Sequence, residues 1–165
     1  MFNNILNIRL DNLKKKNRLI HQSQIGFTKY SRTADHDFIL KTLIDKYCQS
    51  KNGRLYACFV DFHKAFDSVI HVDLKLKLLK MNVGTMFDRI IANMYEHSRA
   101  CVKVGGSLTE SFVIKLCVRQ DDNLSPSLFK FAINDFASYL DSCTDTVLLH
   151  SEKLNCLMYK CTAVC

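Results

Sequence analysis

The sequence lacks several features that define whole classes of protein. Its 165 residues contain no tryptophan, one proline and five glycines, which argues against a collagen-like repeat and against a proline-rich disordered chain. No stretch approaches the roughly 20 uninterrupted apolar residues of a membrane-spanning helix. The start, MFNNILNIRLDNLKKK, also lacks the basic-then-apolar order of a signal peptide. We therefore expect a soluble, intracellular chain without a membrane partner, and the choice between nucleus and cytoplasm stays open.

Acidic residues are scarce at one end of the chain. Residues 1–33 hold seven Lys and Arg against a single acid, Asp11, so they carry +6 of the net charge of +7. A basic segment of this kind is typical of a surface that binds phosphates, because neutralising them releases counterions. A solvated basic helix face explains the same charges, and both interpretations stay open.

Paired C-x2-C spacing is also absent, although the chain has eight cysteines. Several of them, such as Cys58 and Cys117, lie within apolar runs, where we expect small buried side chains in a reducing compartment. The set Cys156, Cys161 and Cys165 leaves a zinc-stabilised module as a minor alternative.

Apolar periodicity and turn residues predict an order of elements. Residues 1–20 suit a helix, residues 21–32 suit a loop, and Thr33 or Asp35 suits the N-cap of a helix that runs to about Gln49. The apolar run 54–62 predicts a strand buried on both faces. The remaining pattern predicts the following elements: helices at about 72–82 and 85–97, a hairpin formed by 99–105 and 110–118, a helix from Ser125 to about Leu140, and a last hairpin formed by 146–149 and 154–159.

One carboxylate lies in unusual surroundings. Asp61 follows Leu, Tyr, Ala, Cys, Phe and Val near the end of the predicted strand. An ionised side chain there is costly unless a metal ion or another cation offsets its charge. The alternative is an Asp that leaves the sheet and caps the following helical turn.

Three segments in order resemble motifs of one family. Residues 59–67, FVDFHKAFD, resemble the first palm motif of reverse transcriptases from non-LTR retrotransposons, the LINE and jockey-like elements. Residues 24–36 resemble the fingers motif of that family, and residues 118–129, VRQDDNLSPSLF, resemble its next palm motif. Three ordered motifs over roughly 135 residues are far more specific than one short pattern.

The resemblance implies an α+β fold: a partial right-hand polymerase with fingers and palm, an antiparallel palm sheet with packed helices, and no thumb. It divides the chain into a fingers-like segment with a basic N-terminus, 1–53, and an incomplete palm, 54–165. It implies RNA-directed DNA polymerase chemistry in the parent family, in which two Mg²⁺ or Mn²⁺ ions assist nucleotidyl transfer. An RNA template and a DNA primer are the implied partners, and no obligate protein partner is implied.

The same resemblance gives roles to individual residues. The implied roles are Asp61 as the catalytic metal ligand, Phe62 as a further ligand through its carbonyl beside the nucleotide, Phe66 as the aromatic that blocks a ribose 2′-hydroxyl, Gln120 near the incoming nucleotide, and Lys29 and Arg32 near template or triphosphate. Several of these residues also have a simpler explanation: Phe66 as plain core, Gln120 as a solvated loop residue, and Lys29 and Arg32 as surface charge.

The chain departs from the family pattern at several positions. The family's Tyr-Ala-Asp-Asp turn is expected at Tyr159, but Lys160, Cys161 and Thr162 follow it. Thr28 and Tyr30 stand where the family prefers Arg and Gly, and Asp121 stands where it has Gly. The pair Asp121-Asp122 is interpreted as an altered motif rather than a metal site, and Asp141 as a solvated residue. We therefore expect a polymerase fragment without activity of its own, or alternatively a non-catalytic RNA-binding remnant that uses residues 1–33.

Overall fold

A computed structural model describes residues 2–49, 53–119, 122–142, 147–149 and 152–154. These residues form helices and small antiparallel sheets, in agreement with the expected α+β class. None of the helices in the described ranges is long and apolar enough to cross a membrane. The elements in chain order are α1 (Phe2–Asn17), α2 (Thr33–Tyr47), α3 (His71–Lys80), α4 (Thr85–Glu96), β1 (Arg99–Ala100), β2 (Lys103–Val104), β3 (Ser107–Leu108), β4 (Phe112–Val113), α5 (Ser125–Ala132), α6 (Asn134–Ser142), β5 (Val147–Leu149) and β6 (Glu152–Leu154).

The chain divides into two compact units. Unit one comprises Met1–Ile20 and Lys64–Asn134, and unit two comprises His21–His63 and Asp135–Cys165. The core of unit one is formed where α1, α3, α4 and α5 present their apolar faces. Its most completely buried side chains are Leu10, Leu74, Leu78, Val118, Leu124, Leu128 and Phe131.

The predicted helices are confirmed, with one difference in the last of them. Pro126 lies in the first turn of α5, where its missing N–H costs nothing. The single helix expected from Ser125 to Leu140 is interrupted at Ile133, and α6 begins at Asn134. The Asn134 amide donates to the carbonyl oxygen of Leu19 (3.2 Å), a tertiary contact within unit one that local periodicity does not reveal.

The hairpin between α4 and α5 is confirmed, although its strands are short. β1 pairs with β4 and β2 pairs with β3, both antiparallel. Gly105 and Gly106 have φ values of +55° and +91°, which is the left-handed conformation that a tight hairpin turn requires at both central positions. The last predicted hairpin is present as β5 paired with β6, and the rest of the expected 154–159 strand lies outside the described residues.

The prediction of a doubly buried strand at 54–62 is wrong. Residues 53–62 contain no strand, and the side chains of Tyr56, Phe59 and Val60 are 84%, 79% and 57% exposed. Cys58 is exposed as well, so the expectation of a core thiol there also fails, whereas Cys117 is half-buried. Burial of an apolar run depends on neighbouring strands, and among the described residues none pairs with this segment.

Helix α2 belongs to unit two. Its N-cap is Arg32 rather than the expected Thr33 or Asp35, and the backbone N–H of Arg32 donates to the Asp35 carboxylate (2.7 Å). The buried side chains of α2 are His36 and Leu43, whereas Phe38 is 73% exposed.

Candidate active site

The segment that follows the first palm-like motif lies beside the segment that leads into the second. Ile70 and Leu116 form an antiparallel bridge within unit one. This pairing continues on both sides through backbone hydrogen bonds. The N–H groups of His71, Cys117 and Val118 donate to the carbonyl oxygens of Lys115 (3.2 Å), Val69 (2.9 Å) and Phe66 (3.0 Å), respectively.

Phe66 lies at one end of this pairing. Its ring centroid is 4.9 Å from that of Phe129 on α5, and its carbonyl oxygen accepts from Val118, two residues before Gln120. The structure therefore places Phe66 next to the chain that leads to Gln120. Gln120 and Asp121 themselves lie outside the described residues.

The start of α5 is fixed by side-chain hydrogen bonds. One carboxylate oxygen of Asp122 accepts from the Leu124 backbone N–H (3.1 Å), and the other accepts from the Asn3 amide (2.7 Å). Ser125 donates its hydroxyl hydrogen to the Arg119 carbonyl oxygen (2.5 Å). Asp122 thus ties α1 to the start of α5.

Asp61 and Phe62 belong to unit two. The carboxylate of Asp61 lies in the exposed segment 53–62. The ring of Phe62 meets that of Phe136 on α6 edge to face, with centroids 5.8 Å apart. In the described part of the chain, no three His, Cys, Asp or Glu side chains lie together as a group that could hold a metal ion. Because a two-metal centre needs several carboxylates at one point, the described residues do not fit such a centre.

Lys29 and Arg32 lie in the loop that precedes α2, and both are exposed. The Lys29 ammonium lies 5.0 Å from the centroid of the Tyr30 ring. Tyr30 has φ +70°, a left-handed conformation in which residues with a side chain are strained and glycine is not. This backbone gives a physical reason for the family's preference for glycine at the position of Tyr30.

This loop is attached to α6 through His21. The His21 Nε2 lies 2.5 Å from a carboxylate oxygen of Asp141, and its Nδ1 lies 2.7 Å from the Ser23 hydroxyl. The Ser23 backbone N–H also donates to Nδ1 (3.2 Å), so Nδ1 is the acceptor and Nε2 carries the hydrogen that Asp141 accepts. The Asp141 side chain, expected to be solvated, is 42% exposed, and it also anchors the loop that carries Lys29 and Arg32.

The basic side of α1 divides into an inward and an outward group. The Lys14 ammonium lies 2.5 Å from the Asp11 carboxylate and donates to the Ser127 hydroxyl (2.9 Å), and the Lys14 side chain is only 13% exposed. Lys15 and Lys16 are exposed. Sequence reasoning treated the three lysines alike, and only the apolar spacing of Leu6 and Leu10 indicates which side of α1 faces the core.

A second buried lysine lies near Lys14. Lys130 on α5 is 5% exposed, and its burial, together with the positive charge of Lys14, lowers its pKa to about 8, while Asp11 opposes the shift. The sequence analysis did not single out Lys130, because a lysine within a helix is ordinarily exposed. The sequence indicates its burial only through its two neighbours, Phe129 and Phe131, which are both buried.

Comparisons with known proteins identify relatives over most of the chain. Residues 1–160 match the family model described as reverse transcriptase (RNA-dependent DNA polymerase). The chain is 27% identical over 74% of its length to a retrovirus-related Pol polyprotein from the type-1 retrotransposable element R2 of Popillia japonica. It is 28% identical over 72% of its length to the corresponding polyprotein from the type-2 element R2DM of Drosophila melanogaster, and 31% identical over 74% to the transposon TX1 uncharacterized 149 kDa protein of Xenopus laevis.

These matches cover only a small part of each relative. The aligned regions span 17%, 11% and 9% of the Popillia, Drosophila and Xenopus proteins, respectively. No solved structure matches the chain significantly.

Proposed function

This chain belongs to the reverse transcriptase family and is similar to non-LTR retrotransposon proteins, and we propose that it is a fingers–palm fragment of an RNA-directed DNA polymerase. The observation that carries the proposal is the antiparallel pairing centred on Ile70 and Leu116. This pairing aligns the segment after the first palm-like motif with the segment that enters the second. A polymerase palm needs its motifs side by side, because template, primer and nucleotide meet at one point.

In the proposal, residues 1–53 form a fingers-like segment and residues 54–165 an incomplete palm. Phe66 contacts the sugar of an incoming nucleotide, a role supported by its position beside the chain that leads to Gln120. Phe62 and Gln120 keep the nucleotide-binding roles that the resemblance implies for them. Lys29 and Arg32 contribute exposed positive charge toward template or triphosphate phosphates.

Asp61 is proposed as the catalytic carboxylate that the parent enzyme would use to hold Mg²⁺ or Mn²⁺. Its exposure leaves the carboxylate accessible to an ion in solvent. A single carboxylate is a weak ligand set for divalent metal, and Lys160, Cys161 and Thr162 stand where the family has Ala-Asp-Asp. We therefore propose that nucleotidyl transfer belongs to the parent enzyme and that this chain does not perform it.

A primer-extension assay tests the inactivity. The full chain is incubated with primed RNA, Mg²⁺ and deoxynucleotides, and no extension is expected. Template-dependent incorporation that Asp61→Ala abolishes would contradict the proposed inactivity. Asp73→Asn, which removes an exposed carboxylate on α3, is the matched control, because it changes the net charge by the same amount.

Sequencing of genomic DNA beyond the Cys165 codon tests the fragment assignment itself. We expect another reading frame there to encode Ala-Asp-Asp followed by a thumb. Unrelated sequence directly after that codon would count against a fragment of a longer polymerase.

A second function, a non-catalytic RNA-binding remnant, is favoured by one observation: Lys15 and Lys16 project from α1 into solvent. Replacing both with Gln should weaken RNA binding and reduce its dependence on salt, because fewer counterions are released. Replacing Lys80 and Lys103, two exposed lysines outside residues 1–33, is the matched control. Equal loss of binding in both double variants would refute a specific basic surface on α1.

A further inference from the structure

A cleft lies between α3 and α4 in unit one. Its volume is about 170 Å³, slightly more than an apolar protein cavity of about 150 Å³ that binds benzene. Leu74 and Leu78 of α3 and Ile91 of α4 form its apolar walls, and all three are at most 3% exposed. Ala92 has only a methyl group where a larger side chain would fill the space. The cleft is therefore large enough for one phenyl ring.

One wall of this apolar cleft carries a carboxylate. Asp88 is 7% exposed, and its Oδ1 is buried without a hydrogen-bond partner. A buried acceptor that has lost its water without gaining a partner costs free energy, and an ionised one costs more. Burial accordingly raises the pKa of the Asp88 carboxyl. A positively charged group in the cleft beside the Asp88 carboxylate would offset part of this cost.

The rest of the cleft also suits a cation on a flat apolar body. The rings of His71 and Tyr95 contact each other, with centroids 4.7 Å apart, and both line the cleft. His71 Nε2 is hydrogen-bonded to the Cys117 carbonyl oxygen (2.7 Å), so this ring is held in place. The exposed rim of the cleft carries one acidic side chain, Glu96, and one basic side chain, Lys75. An aromatic face and a buried carboxylate are the two groups that attract organic cations in proteins.

We propose that the cleft between α3 and α4 binds a small organic monocation, an amidine, guanidine or primary amine on an apolar body about the size of a phenyl ring. The apolar body lies against Leu78 and Ile91, and the charged nitrogen pairs with the Asp88 carboxylate, which lines the cleft. This binding site is independent of the polymerase assignment, because none of its residues belongs to the proposed nucleotide or metal site.

Benzamidine is the probe, and benzamide, which has nearly the same shape but no charge, is the matched ligand. The dissociation constants are measured by calorimetric titration of the full chain, and chemical-shift changes at Tyr95 and Ile91 locate the bound ligand. We expect benzamide to bind at least tenfold more weakly than benzamidine, because it lacks the charge that pairs with Asp88.

Three variants decide whether the cleft is the site. Asp88→Asn keeps the shape of the side chain and should weaken benzamidine binding at least tenfold, while Asp73→Asn, an exposed acid on α3, should leave it unchanged. Ala92→Leu should abolish binding by filling the cleft while Asp88 remains. Urea denaturation shows that each variant folds.

Four outcomes would overturn the proposal. They are absence of benzamidine binding by the wild-type chain, equal binding by Asp88→Asn, equal weakening by Asp73→Asn, and retained binding by Ala92→Leu. Each of them leaves the polymerase assignment intact, since Asp73, Asp88 and Ala92 belong to neither the proposed nucleotide site nor the proposed metal site.

Discussion

Replacing Lys130 with methionine is expected to stabilise unit one at neutral pH. Lys130 is 5% exposed on α5, and burial and the charge of Lys14 lower its pKa from 10.5 to about 8. At 1.36 kcal/mol per pKa unit, this shift corresponds to roughly 3 kcal/mol of destabilisation of the charged form in the folded chain. Methionine retains the unbranched apolar stem without the charge, so Lys130→Met should raise the free energy of unfolding by about 2–3 kcal/mol at pH 7.

The gain should depend on pH in a defined direction. Below about pH 8, the Lys130 ammonium is charged in both the folded and the unfolded chain, and the folded chain carries the full cost. Between about 8 and 10.5, the unfolded chain keeps a proton that the folded chain has released, so the wild-type free energy of unfolding rises with pH. The advantage of Lys130→Met should therefore shrink through this range and vanish above it.

Urea denaturation followed by circular dichroism at pH 7, 8, 9 and 10 measures this difference. Burial raises the pKa of the Cys117 thiol and of the Tyr95 hydroxyl, and their titration has the opposite effect on stability, but it is common to both chains and cancels. Lys103→Met, at an exposed lysine of β2, is the control and should change little. A gain that stays constant with pH, or Lys130→Met no more stable than wild type at pH 7, would refute the reasoning.

Two further predictions follow from burial. Burial lowers the pKa of His36, and the charges of Asp35 and Asp37 oppose this shift. As pH drops below 6.5, the unfolded chain therefore takes up a proton that the folded chain excludes, and the free energy of unfolding should fall. His36→Gln should reduce this pH dependence in urea titrations at pH 7 and 5. Leu128→Ala, at a side chain with 0% exposure, should cost about 3–5 kcal/mol in the same assay, whereas Leu108→Ala, 67% exposed, should stay within about 0.5 kcal/mol. Similar losses in the two leucine variants would contradict the packing of unit one.

The helices could be predicted from the sequence because their signals are local. Pro126 marks the first turn of α5, Gly84 separates α3 from α4, and Gly105-Gly106 marks the tight turn between β2 and β3. The break at Ile133 could not be predicted in this way. It occurs where the Asn134 side chain reaches the Leu19 carbonyl oxygen, and such contacts join residues far apart in the chain.

The exposure of residues 53–62 could not be predicted either, since an apolar run is buried only where other elements cover it. The motifs marked the segments of the candidate site, and the pairing of Ile70 with Leu116 places the chain after the first motif beside the chain that enters the second. The roles of Asp61, Phe62, Phe66, Gln120, Lys29 and Arg32 stay predictions. The contact of Lys14 with Ser127 and the anchoring of the loop by Asp141 required the tertiary structure, because their partners are more than 100 residues away.

The exposed segment 53–62 has a consequence for the aggregation of the chain. Residues 55–60, Leu-Tyr-Ala-Cys-Phe-Val, carry no charge, no proline and no glycine, and Tyr56, Phe59 and Val60 face solvent. Short segments of this composition form intermolecular β-sheets that stack into fibrils. Aggregation requires chains to associate with one another, so its rate rises with protein concentration. The time for which the chain stays unaggregated therefore depends on its concentration as well as on its folding free energy. A copy made at low levels would persist, whereas one made abundantly would become a target for chaperones and proteases.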